Sequence, residues 1–187
     1  MLECVINVSE GRNHAIIDSL AQSCAGGLLD IHSDPDHNRS VFTLVGVEAP
    51  RALARAAVAA ISLSDHSGVH PRIGVVDVVP FVPLVESTMH DAQKARDEFA
   101  AWAAEELHVP SFLYGTERTL PDIRKTAWTS LFPDVGLKVP HSTAGAMCVG
   151  VREPLVAYNL WLENVDLATT RRIASVVRSA SVRNLGL

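Results

Sequence analysis

Between Leu2 and Val82 the hydrophobic period switches repeatedly between two and about 3.6 residues, and the order of the switches constrains the fold more than any other property of the chain. "LECVINV" is short, rich in β-branched residues, and followed by the turn-forming "SEGRN". From Asn13, a possible cap, Ile16, Ile17, Leu20 and Cys24 recur at steps of three and four until Gly26-Gly27 stops the pattern. "LLDIHSD" and "RSVFTLVGV" read as two strands around "DPDHN", where Pro35 forces Asp34 out of helical geometry, so a hairpin is the simplest account. Pro50 opens an alanine-rich helix to about Leu63, and "VVDVVPFV" supplies a fourth strand.

The order β-α-β-β-α-β predicts an α+β fold, a ferredoxin-like sandwich with a C-terminal α/β extension, in one domain over residues 1–187. In the extension, Thr88 and Asp91 form a capping box ahead of an amphipathic helix carrying Ala92, Ala95, Phe99, Trp102 and Leu107. "VPSFLYG" and "PLVAYNLWL" read as strands. Between them "TERTLPDIRKTAWTSLFPDVG" promises little beyond a helical turn or two. Asp166 can cap a last helix whose face carries Ile173, Val176, Val177 and Ala180.

With 48% hydrophobic residues in 187, the chain can bury a substantial core. Sixteen basic against 21 acidic residues, without a basic run, make nucleic acid an unexpected partner. Cys4, Cys24 and Cys148 are odd in number and widely spaced, as small core residues of a reduced compartment are. Neither a signal peptide nor an 18-residue apolar run is present, which predicts a cytoplasmic protein with no membrane partner.

Three polar constellations interrupt the apolar pattern. "NVSEGRN" ends a strand in Asn7, Ser9, Glu10 and Gly11, a place to hold a carboxylate or amide and equally an ordinary capped loop. "HSDPDHNR" gathers His32, Asp34, His37, Asn38 and Arg39, which suits a metal, acid/base work, or simply a solvated hairpin. "SGVHPRIGVVDVVPF" places His70 against Pro71 between Gly68 and Gly74, with Arg72 and Asp77 close behind. An imidazole titrates near neutrality, and proline and glycines fix the backbone around it, as a proton-transfer group requires.

"ECVINVSEGRN", "DPDHNRSVFTLVG", "HPRIGVVDVVPFVPL", "EELHVPSFLYG", "PDVG" and "AYNLWL", in that order, closely resemble the N-terminal subdomain of the glutamate formiminotransferase (glutamate formimidoyltransferase) family. The resemblance implies a folate enzyme of histidine degradation. It would move a formimino group from N-formiminoglutamate to N5 of tetrahydrofolate, the co-substrate, with small-molecule substrates and no metal. The family's catalytic histidine carries over to His70 as general acid/base. Asn7, Glu10, His32, Asn38, Arg39, Arg72, Gly74 and Asp77 are the substrate-binding candidates. A folate-binding stretch matches "GLKVPHSTAG", with Gly136, Lys138, His141, Ser142, Thr143 and Gly145.

Two departures stand out. The mammalian-type pattern has an acidic residue where this chain has His32, and its segment between "LYG" and "PDVG" is longer. The family's transferase unit also has two similar subdomains, and the sequence stops at "SVRNLGL", about where a second would start. A homo-oligomer or a separate second-subdomain chain is therefore expected to complete the cleft. The competing readings are a catalytically incomplete folate-binding or assembly module, and a metal-dependent enzyme built on His32, Asp34, His37 and His70.

Overall fold

A computed structural model of the chain describes residues 1–69, 71–156 and 162–181, the last four without their side chains. They form two compact units, Met1–Glu153 and Pro154–Leu187. In the first, a mixed α+β unit, strands β1 (Leu2–Val8), β2 (Leu28–Asp34), β3 (Arg39–Val45), β4 (Val76–Pro83), β5 (Ser111–Tyr114) and β6 (Met147–Val151) form a single sheet. Its spatial order is β2-β3-β1-β4-β6-β5. The β2-β3, β3-β1 and β1-β4 pairs are antiparallel, whereas β4-β6 and β6-β5 are parallel. The strands beyond the fourth thus widen one continuous sheet.

Helices α1 (His14–Ser23), α2 (Glu48–Ala60) and α3 (Met89–Glu106) share a core with the sheet. Cys4, Ile6 and Val8 of β1, Phe42 and Leu44 of β3, and Val79 and Phe81 of β4 pack with Leu20, Leu53, Ala57, Phe99 and Ala103. Phe81 and Phe99 meet edge-on with centroids 5.8 Å apart, a favourable aromatic geometry. Burying a side chain such as Phe42 or Leu53 stabilises the fold by about 1.5–3 kcal/mol each. Helix α4 (Leu120–Thr126) belongs to a second, smaller cluster, where Ile123 packs with Val78, Phe112, Tyr114 and Cys148.

The helix ends follow the sequence. Asn13 Oδ1 accepts from Ile16 N–H, and Thr88 and Asp91 form the expected capping box. Helix α2 starts two residues before Pro50, which therefore sits in the first turn; the proline is harmless there because that N–H has no intrahelical partner. The segment expected to hold a helical turn or two contains α4, with its own capping box from Thr119 and Asp122. In the second unit α5 (Leu167–Ser181) is capped by Asp166, whose Oδ1 accepts from Thr169 N–H. Along it, Ile173, Val176 and Val177 line one shallow face, with Val176 62% exposed. The strand expected over "PLVAYNLWL" falls largely outside the described residues, and β6 instead occupies Met147–Val151. Among the described residues no helix is long and apolar enough to cross a membrane.

Candidate functional site

Strand registers fix which loops can meet. Val8 pairs with Ser40 and with Val76, Asp34 with Arg39, Val78 with Cys148, and Ser111 with Met147. One end of the sheet therefore collects the C-terminal ends of β1 and β2 and the N-terminal ends of β3, β4, β5 and β6. The loops holding Ser9–Asn13, Asp34–Asn38, Ser67–Gly74 and His141–Gly145 are tied together there.

Asn38 is the knot among the first three. It is buried and adopts a φ of 47°, a conformation asparagine tolerates better than most residues. Its Oδ1 accepts from Gly11 N–H at 2.9 Å, and its Nδ2 donates to Ser67 O at 3.0 Å. Its carbonyl accepts from Arg72 Nη1 at 3.1 Å and from His66 Nε2 at 2.9 Å. Arg72 Nη2 also donates to His37 O at 2.7 Å. Glu10 turns back on its own loop, accepting from Arg12 and Asn13 N–H, while Arg12 Nε reaches Pro35 O at 2.7 Å. Arg39 Nε is buried and has no hydrogen-bond partner among the described residues.

His70 itself lies outside the described residues. Its sequence neighbours are held on both sides. Val69 N–H donates to Asp36 O, and Pro71 O accepts from Arg124 Nη1 at 2.9 Å. Ile73 N–H donates to Asp77 Oδ1 at 2.7 Å, and Ser9 Oγ donates to Gly74 O at 2.8 Å. Gly74 bridges to Gly145. A side chain at Gly74 would overlap the Ala146 carbonyl, and Gly145 holds a φ of 71°, so both positions need glycine.

That bridge docks the "HSTAG" turn against the His70 segment. His141 Nδ1 accepts from Ala144 N–H at 3.1 Å, which leaves the ring proton of a neutral imidazole on Nε2. Ser142 and Thr143 are exposed. Gly136 and Lys138 lie further along the same end, Gly136 against Pro110 and Lys138 with its ammonium on Pro133 O. Asn7 and His32 stand apart from the loops, on the sheet. Pairing of Asn7 with Val41, and of Val41 with His32, sets them in one row two strands apart, a spacing of about 10 Å. His32 is exposed and Asn7 half-buried.

Four guanidiniums, those of Arg12, Arg39, Arg72 and Arg124, influence one another at this end. Burial, then the neighbouring guanidiniums of Arg39, Arg124 and Arg12, hold the Arg72 pKa below its ordinary value, against the opposing Asp77 carboxylate. The "DPDHN" carboxylate serves the turn instead. Asp34 Oδ1 accepts from Asp36 and His37 N–H, and Oδ2 meets His37 Nδ1 at 2.6 Å; these bonds hold the Asp34 pKa below the usual carboxylate range. Among the described residues no three His, Cys, Asp or Glu side chains converge as a metal site. Cys4, Cys24 and Cys148 are buried, and burial pushes all three thiols up, so they stay protonated and weakly nucleophilic.

Sequence reasoning missed Arg124. It extends from the last turn of α4, and its partners Pro71 and Asp77 lie 53 and 47 residues away. Only a fold could bring them together.

Comparison of the sequence with known proteins shows its family. The family described as formiminotransferase domain, N-terminal subdomain, matches residues 1–152. Glutamate formimidoyltransferase of Streptococcus pyogenes serotype M1 is 38% identical over 204 residues, covering 96% of this chain and 68% of the relative. Glutamate formimidoyltransferase of Thermoplasma acidophilum is 34% identical, with 96% and 67% covered. Formimidoyltransferase-cyclodeaminase of Sus scrofa is 36% identical, with 93% of this chain but only 36% of the relative covered.

Proposed function

The chain belongs to the formiminotransferase family of transferases, through its N-terminal subdomain, and on that premise we propose that it moves a formimino group from N-formiminoglutamate to N5 of tetrahydrofolate, with His70 as general acid and base. In this reading the reaction is a step of histidine degradation, and its substrates are small molecules. The order β4-β1-β3-β2, antiparallel throughout, supports reading the first half as ferredoxin-like.

The chemistry is a transfer between two nitrogens. N5 attacks the amidine carbon, giving a tetrahedral adduct with a cationic N5. His70 takes the N5 proton and returns it to the glutamate nitrogen as the carbon–nitrogen bond to glutamate breaks. A neutral imidazole suits the first step and an imidazolium the second, so one residue serves both near neutral pH. Arg39 and Arg72 supply positive charge for substrate carboxylates. The exposed Ser142 and Thr143, with Lys138, form the folate-facing arc, and a homo-oligomer or a separate chain closes its open side.

The observation that carries this reading is the anchoring of residues 69 and 71–74 at the loop-bearing end of the sheet, which holds the backbone on either side of His70. Its test is the appearance of 5-formiminotetrahydrofolate from formiminoglutamate and tetrahydrofolate. Turnover by the purified chain supports the transferase. Reduced-folate binding without product would make this a binding module.

A further inference from the structure

Arg124 and Asp77 do not fit the role of substrate contacts. Asp77 is 4% exposed, and both its oxygens are engaged, Oδ1 with Ile73 N–H at 2.7 Å and Oδ2 with Arg124 Nη2 at 2.5 Å. Arg124 uses its second nitrogen, Nη1, on Pro71 O at 2.9 Å. The four groups close a loop from the Pro71 carbonyl through the guanidinium and carboxylate to the Ile73 amide. The loop spans three residues of backbone that begin immediately after His70 in sequence.

The anchor of this loop is rigid. Arg124 follows Ile123, which is fully buried among Val78, Phe112 and the half-buried Leu120 and Trp128. Asp77 belongs to β4, paired on one side with β1 and on the other with β6. A planar guanidinium can satisfy two acceptors at fixed angles at once; an ammonium reaches them only as a point charge.

We infer that Arg124 and Asp77 are positioning residues for the proposed proton shuttle, a carboxylate–guanidinium clamp that fixes the Pro71–Ile73 backbone, the stretch that follows His70 in sequence. The inference rests on the proposed transferase reading for its catalytic consequence, but the clamp is a property of the chain by itself. Proton transfer needs the base within hydrogen-bonding reach, and a misplacement of about 1 Å can cost about 100-fold in rate.

The experiment combines NMR of the histidine ring signals with steady-state kinetics, on wild type, Arg124→Gln, Arg124→Lys, His70→Ala and the double variant His70→Ala/Arg124→Gln. Arg124→Gln is expected to shift or split the His70 ring signal, to lower kcat about 10- to 100-fold, and to leave both KM values within about twofold. Arg124→Lys retains the charge beside Asp77 but not both bonds, so kcat stays at least about tenfold down; it also stands in if the glutamine variant does not fold. In the His70→Ala background Arg124→Gln adds no further loss, because the two act through one group.

A His70 signal and a kcat unchanged in both Arg124 variants would overturn the clamp. So would a raised KM for formiminoglutamate at constant kcat, since Arg124 would then be binding a carboxylate. A wild type without transfer activity would sink the transferase reading instead, and the His70 ring signal would still decide the clamp.

Discussion

The Asp34–Asn38 turn and the Pro71–Asp77 segment sit at the same end of the sheet and are held by opposite means. In the turn the Asp34 side chain closes locally, satisfying Asp36, His37 and the His37 imidazole within four residues, and the Asn38 end is tied to neighbouring loops by its side chain. The segment is fixed from afar, by Arg124, Ser9 and the 144–146 backbone. Local closure needs only turn chemistry, whereas remote closure needs the whole sheet in register. Perturbations should therefore spread widely from the segment and stay confined when they touch only the Asp34 side chain.

Gly74→Ala attacks the segment at its most crowded point and should have the largest effect. A methyl group there meets the Ala146 carbonyl between two buried strands, so a loss of about 4 kcal/mol or more is expected, visible as a collapse of the soluble folded fraction. Asp77→Ala comes next. It leaves the Arg124 guanidinium and the Ile73 amide without their partner and should cost about 3–5 kcal/mol in urea unfolding. Asn38→Ala tests the junction of the two regions. Losing the bonds to Gly11 and Ser67 should cost about 2–3 kcal/mol and loosen both loops together in hydrogen exchange.

The smallest effect belongs to the turn. The Asp34 pKa is lower in the folded state than in the unfolded chain, so its contribution is complete above the ordinary carboxylate range and is lost as pH falls through the depressed folded value. Asp34→Asn should therefore cost a small amount of stability near neutrality, where the carboxylate contributes, and the difference from wild type should vanish in acid, with the wild-type titration followed by the Asp34 carboxyl carbon shift. A large neutral-pH loss in Asp34→Asn would break the contrast between the two regions.

The same contrast explains what the sequence reveals. Asn13, Thr88 and Asp166 advertise helix starts through bonds three residues long, and the "DPDHN" hairpin advertises itself through proline and aspartate. β6 is hidden because Met147–Val151 is buried throughout, so it shows neither alternation nor length. Of the candidate site, Asn38, Arg72, Gly74 and Asp77 are legible as polar or glycine interruptions next to strands. Arg124 is invisible in that way, since it sits in an ordinary helix last turn and acquires meaning from partners about fifty residues earlier.

The most direct measurement is kcat for formimino transfer by His70→Ala, with and without added imidazole, beside the wild type. The account predicts turnover by the wild type, a fall of about 100-fold or more in the variant at unchanged folate affinity, and partial recovery with imidazole acting as the missing base. A His70→Ala enzyme that turns over at the wild-type rate would contradict it.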